Sequence, residues 1–108
     1  MKLHKLEDYH GGWICGDFLP TIIGTDKFEV GFKEYKKGAR ENAHTHLKAI
    51  EISVFLSGKC RMNELIVGKG DIVVLEKGEV MTGFECLEDS MTAVIKIPSV
   101  KGDKYGAR

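Results

Sequence analysis

The sequence predicts an all-β domain, an antiparallel sandwich or barrel, and three observations carry that reading. Apolar residues recur with a period of two in several short runs. Turn signals separate these runs at intervals of about 8 to 12 residues, and thirteen glycines against two prolines suit tight turns without broken strands. A long helix finds no room. The one weakly helical stretch, 38–48, contains Gly38, Asn42, Thr45 and two histidines and lacks a 3.6-residue apolar stripe.

In chain order, GWICGDF near the start reads as a first strand. FEVGFKEY, 28–35, sets Phe28, Val30 and Phe32 against Glu29, Gly31 and Lys33, the alternation of a half-buried strand. EISVFL (51–56), KCRMN (59–63), DIVVLE (71–76) and MTAVIKI (91–97) follow, with turn signals at Gly24, Lys37-Gly38, Ser57-Gly58, Gly68-Lys69-Gly70 and Lys77-Gly78. GKGD at 68–71 lacks the GxxxxGK[ST] spacing of a phosphate loop, so its glycines are expected to make a hairpin turn. Ile52, Val54 and Leu56 form one apolar row with Phe55 among the alternate residues. That strand is therefore expected to be covered on both faces, by the barrel interior and by a second copy of the chain in a homodimer. Trp13, Phe18, Phe28, Phe32, Tyr35, Phe55 and Phe84 are assigned to core or interface, with an aromatic substrate platform the alternative, and Pro98 ends the last strand because it cannot donate a ladder hydrogen bond.

At 108 residues the chain suits one domain, 1–108, without repeat or linker. Sixteen basic and sixteen acidic residues cancel, and Lys33, Lys36, Lys37 and Arg40 are interrupted by Glu34 and Glu41, so no nucleic-acid partner is expected. No run is apolar enough for a signal peptide or a membrane span, and a soluble cytoplasmic protein with no membrane partner is expected. Cys15, Cys60 and Cys86 form no CxxC pair; they read as small hydrophobes, with Cys86 a nucleophile only if a histidine adjoins it. His4 and His10 lie outside any ligand spacing and are given solvent or capping roles.

The chemistry-bearing stretch is NAHTHLKAIEISVFLSG, 42–58. Residues i and i+2 of a strand share a face, so His44 and His46 project into one space, and Glu51, beyond a short LKAI turn, can fold its carboxylate toward them. Two neutral imidazoles and one carboxylate with open positions are the donor set of non-haem Fe(II) triads and of His2Glu zinc sites.

Glycines bracket this stretch at fixed distances: Gly38, five residues, His44-x-His46, four residues, Glu51, six residues, Gly58. The pattern resembles the first motif of the cupin superfamily, G(X)5HXH(X)3-4E(X)6G, at every specified position. Gly70 and Gly78 similarly resemble the second motif, G(X)5PXG(X)2H(X)3N, in degenerate form. Resemblance thus covers residues 38–85 and implies a small single-domain cupin with a double-stranded β-helix, or jelly-roll, barrel. Its parts are N-terminal strands at about 11–35, motif 1 at 38–58, motif 2 at 70–85 and a C-terminal tail at 98–108, whose Asp103-Lys104-Tyr105 reads as a clasp or surface feature. Where the second motif supplies its histidine ligand this chain has Met81, a soft thioether unsuited to a hard ion, and where it supplies proline and asparagine stand Glu76 and Glu85. Glu79, Glu85 and Cys86 are candidate fourth ligands, each more at home in solvent or packing.

The leading expectation is therefore a barrel that binds a divalent ion (Fe, Mn, Ni or Zn) through His44, His46 and Glu51 and admits a small organic ligand, with isomerase, lyase or dioxygenase chemistry open to it. Two alternatives stand beside it: a non-catalytic binding or sensing cupin, and a metal-free sugar-nucleotide isomerase or epimerase with a histidine base.

Overall fold

The computed structural model describes residues 1–106, so the last two residues of the tail lie outside the described part. Two short 3₁₀ turns, Leu6–Asp8 and His10–Gly12, lead into eleven strands. These are β1 (Trp13–Gly16), β2 (Ile23–Gly24), β3 (Glu29–Tyr35), β4 (Arg40–Glu41), β5 (His44–Thr45), β6 (Ile50–Met62), β7 (Leu65–Gly68), β8 (Ile72–Leu75), β9 (Val80–Met81), β10 (Phe84–Ile97) and β11 (Tyr105–Gly106). The larger sheet runs β2-β1-β3-β10-β6-β7, with β4 also on β10 and β8 also on β6; the smaller runs β11-β5-β9. Nearly all pairs are antiparallel, the exception being β1 with β2. The all-β expectation is met.

Strands β6 and β10 are the longest, and they pair over almost their whole length. Alternation along this pair sorts the side chains. Glu51, Ser53 and Phe55 of β6 and Thr92, Val94 and Lys96 of β10 line the barrel cavity. Ile52 and Val54 point the other way, as do their neighbours Ile95 and Ala93 on β10 and Val74 and Ile72 on β8. The row Ile52-Val54-Leu56 is thus outside the barrel, and Ile72 and Val74 are 62% and 46% exposed. Phe55, Cys60, Met81, Phe84 and Cys86 pack into an apolar core that adjoins this cavity. Burying such side chains stabilises by about 1.5–3 kcal/mol each.

Three local readings change. The expected break at Ser57-Gly58 is a bulge, and β6 continues through it to Met62. The Gly68-Lys69-Gly70 turn does not join paired strands, because β7 and β8 lie end to end along the same neighbour, β6. Asp71 braces that step, its N–H donating to the Gly68 carbonyl at 2.9 Å and its carboxylate accepting from the Gly68 N–H at 2.8 Å. The true two-residue hairpin is Asn63-Glu64, both at positive φ, linking β6 to β7. Asn63 holds this turn against the smaller sheet through the Val80 carbonyl and the Thr82 N–H.

Gly58 explains its own place in the bracketing pattern. Its φ is +83°, and a Cβ there would collide with the Ser90 hydroxyl and the Asp89 carbonyl of β10. Gly58→Ala should therefore lower unfolding free energy by about 3 kcal/mol in urea titration, whereas Gly70→Ala, with nothing within 4 Å of the added carbon, should lose less than half as much.

Candidate metal and ligand site

The predicted trio is brought together. His44 lies on β5, His46 just beyond it, and Glu51 near the start of β6, and one donor atom from each lies within 4.8 Å of the others. The two imidazoles are 6% and 4% exposed and meet edge to face, with centroids 5.1 Å apart. His44 Nδ1–H donates to the Asn42 carbonyl at 3.2 Å, which fixes the tautomer and leaves the Nε2 lone pair free. Lys96 donates to His46 Nε2 at 3.3 Å, and the other nitrogen, Nδ1, faces Glu51 Oε2 at 3.7 Å.

Electrostatics keep these groups ready for a cation. Burial, with Lys96 and His44 adding to it, pushes the His46 pKa down to about 4, so the ring is neutral at neutral pH and forms no charged pair with Glu51. Burial likewise raises the Glu51 carboxyl, against the pull of Lys96 and His44. A largely buried carboxylate beside the neutral His46 ring is costly alone, and a bound divalent ion would remove that cost. Bonds of about 2.0–2.2 Å place any two donors on one ion within about 4.4 Å of each other, so the trio would need to close by only a few tenths of an ångström. The residues fit a divalent ion.

Met81 pairs directly with His44 across β5 and β9 and is buried at the cavity wall, the position the second motif gives to a ligand. The other fourth-ligand candidates are elsewhere. Glu85 is held by Arg40 and Arg61 at 2.9 and 2.7 Å, and Glu79 caps the Glu76 N–H at 3.0 Å. Cys86 faces Cys60 in the core and donates to the Glu88 carbonyl at 2.8 Å. His4 bonds the Tyr9 hydroxyl at 2.7 Å, far from this chemistry.

The cavity beyond the trio has a volume of about 200 Å³. Sequence reasoning missed most of its polar lining: Lys33 and Tyr35 from β3, Glu41, Thr92 and Lys96 from β10, and Lys104 from the tail. The available signal was the alternation of FEVGFKEY, which puts Gly31, Lys33 and Tyr35 on one face.

Asp103 belongs to the tail segment expected to be a clasp or a surface feature, and it is a clasp. Its buried carboxylate accepts the Leu47 N–H at 3.1 Å, the Lys48 N–H at 3.0 Å and the Ala49 N–H at 2.9 Å, so the tail does clasp the turn between His46 and Glu51. Burial opposes its ionisation, but these three donors prevail and hold its pKa below the usual carboxylate value.

Among the described residues no helix is long and apolar enough to cross a membrane. No protein-family model matches the chain, and no curated protein matches it. Solved structures do. A double-stranded β-helix protein from Klebsiella pneumoniae superimposes with a TM-score of 0.70 at 17% identity, covering 100% of this chain and 99% of that one. DMSP lyase DddQ from Ruegeria pomeroyi gives 0.72 at 17% identity, over 88% of this chain and 49% of that one. Oxalate decarboxylase from Bacillus subtilis, described with Mn(II) centres, gives 0.63 at 19% identity, over 76% of this chain and 24% of that one. At these identities the likeness is one of fold.

Asp103→Ala leaves three turn N–H groups without their acceptor and should cost about 3 kcal/mol. A carboxyl with a depressed folded-state pKa contributes stability above its unfolded value and loses it as pH falls through the folded one. The difference in unfolding free energy between wild type and Asp103→Ala should therefore be full at pH 6 and shrink below about pH 4 in chemical denaturation.

Proposed function

The chain folds as a cupin, a double-stranded β-helix barrel, and from that premise we propose that the barrel is a metal-centred site for a small organic molecule. His44, His46 and Glu51 would hold the divalent ion. The observation that carries this reading is their convergence, two buried imidazoles and a largely buried carboxylate, at the wall of a cavity lined in part by Phe55, Met81 and Phe84. Imidazole and carboxylate donors suit Fe, Mn, Ni or Zn and disfavour Cu(I), and the Mn(II) centres of the oxalate decarboxylase neighbour make Mn(II) the first ion to test.

When bound, such an ion supplies Lewis acidity toward a carbonyl or carboxylate oxygen and lowers the pKa of a bound water. The chain's own groups then divide the remaining work. Asn42 holds the His44 ring through its carbonyl, and Asp103 fixes the turn from which His46 and Glu51 diverge. Phe55, Met81 and Phe84 exclude water from one end of the cavity. A free histidine base is the weaker reading, because a base works best with a pKa near the operating pH and His46 lies near 4. At about 200 Å³ the cavity is also smaller than the ~300–1,000 Å³ that drug-sized ligands occupy, which disfavours enclosing a whole sugar nucleotide.

Elemental analysis of untagged protein should find close to one equivalent of a divalent transition ion, lost in the His44→Ala, His46→Ala double variant. Equal trace metal in both would defeat the proposal. Turnover of small carbonyl and carboxylate compounds would then make the site an enzyme, and saturable binding without product a sensor or carrier.

We also propose that the outward apolar face pairs two copies of the chain. Its centre is Ile52 and Val54, flanked by Ile95, Ala93, Val74 and Ile72, with no charged side chain in either register row. Ile72→Glu combined with Val74→Glu should halve the mass seen by light scattering; an unchanged mass would remove this face from consideration.

A further inference from the structure

The cavity holds more positive charge than its own carboxylates answer. Lys33, Lys96 and Lys104 line it together with only Glu41 and Glu51, and among the described residues none of the three lysines stands in an ion pair. The Lys33 and Lys96 ammonium groups sit 4.9 and 5.4 Å from the centroid of the same ring, Trp13. Cation–π contact of this kind offsets part of their desolvation but leaves N–H donors to spare, on Lys96 beyond the one given to His46 Nε2. One partly buried ammonium can be accidental; two converging on one indole from different strands, inside a protein with sixteen acidic residues, ask for a counter-ion.

A second observation points to the same place. Thr92 is 2% exposed, lines the cavity, and its Oγ1 is the buried side-chain polar atom without a hydrogen-bond partner among the described residues. Thr92 lies directly beside Lys33 in the β10–β3 register and on the same face of β10 as Lys96. A buried hydroxyl left unpaired costs about 1–3 kcal/mol, so its retention on a cavity wall signals a partner that is not protein.

We propose that Lys33, Lys96 and Thr92 form a carboxylate-binding subsite, and that the small molecule taken by the barrel is an organic acid whose apolar body lies against Trp13. This deepens the reading of the barrel as a metal-centred ligand site. The charge balance agrees: the lining carries one uncompensated positive charge, and a divalent ion would raise that to three, so the cavity favours an anion in either state. Size agrees as well, since about 200 Å³ admits a short-chain acid. Burial, with the like charges of Lys96 and Lys104, depresses the Lys33 pKa against the pull of Glu41, and an anion beside it would relieve that pressure.

Isothermal titration with succinate, and with the neutral isostere succinamide, tests the subsite on both metal-free and Mn(II)-loaded protein. Succinate should bind and succinamide should not, and Lys33→Gln or Lys96→Gln should each weaken succinate roughly tenfold or more. Lys36→Gln, on an exposed lysine outside the cavity, should bind as wild type. Thr92→Val removes the orphaned hydroxyl without changing shape; it should raise the melting temperature of the ligand-free protein while weakening succinate several-fold, a combination that a purely structural threonine would not give. Equal affinity for succinate and succinamide, or wild-type affinity in both lysine variants, would overturn the proposal, and tighter lysine-dependent binding of inorganic phosphate would replace carboxylate by phosphate. Mn(II) binding is measured separately. Its absence beside lysine-dependent succinate binding would sink the metal reading alone, and its presence beside lysine-independent binding would sink the subsite alone.

Discussion

The register between β6 and β10 is the constraint on which the rest of this barrel depends. Glu51 is opposite Lys96, Ser53 opposite Val94 and Phe55 opposite Thr92, so one set of alternate residues from each strand builds the cavity wall. Side chains alternate with a period of two, and a slip of one residue would send Glu51, Lys96 and Thr92 to the outside and bring Ile52 and Ile95 in. A hydrophobic pattern alone would favour that slip, because the outward row is the more apolar. What resists it is distributed: the Gly58 bulge fits only against Ser90, the Asn63-Glu64 turn fixes the far end, and Phe55 and Phe84 anchor the inner face in the apolar core. The protein thus places its polar rows inside at a cost in intrinsic stability, a pattern expected where an interior is a site rather than a filler.

That cost is managed by a small number of charge-assisted contacts. Asp103 satisfies three consecutive N–H groups of the turn after His46, a place where backbone would otherwise be buried unpaired. The same contact sets the angle between His46 and Glu51, so the tail, remote in sequence, is part of the site's geometry. Lys96 does similar duty from the other side by occupying His46 Nε2. Lys96 is on one nitrogen of the His46 ring and Glu51 faces the other, while burial keeps that ring neutral and raises the Glu51 carboxyl. The predicted trio and the lysine-bearing wall therefore meet at a single imidazole.

Much of the fold was legible in the sequence because it is written in spacing. Period-two alternation located most strands, and Gly38, His44, His46, Glu51 and Gly58 at fixed intervals gave the barrel type and the trio that the structure brings together. The parts that were not legible depend on contacts between distant segments. Nothing local marks Asn63-Glu64 as a hairpin, since Glu lacks the positive-φ preference of glycine, and nothing local marks Ser57-Gly58 as a bulge instead of a turn. End-to-end placement of β7 and β8 on one neighbour is a fact of topology alone. The inner lysines were hidden for a further reason: a lysine in an alternating strand is read as facing water unless a partner strand encloses it, and only the barrel's closure does so.

Met81 shows how these levels combine. It occupies the wall position opposite His44 where a third imidazole would complete a four-donor set, and its thioether leaves that quadrant apolar. A three-donor set keeps more positions open to ligand oxygen than a four-donor set, and binds its ion less tightly. Lys96 and Thr92, on β10, line the same cavity and supply donors where Met81 supplies none. The missing imidazole and the ammonium donors would thus act in the same direction. In the proposed site both would shift binding energy from the protein–ion bond to the acid, so that ion and acid would strengthen each other's hold, a coupling that linkage makes reciprocal.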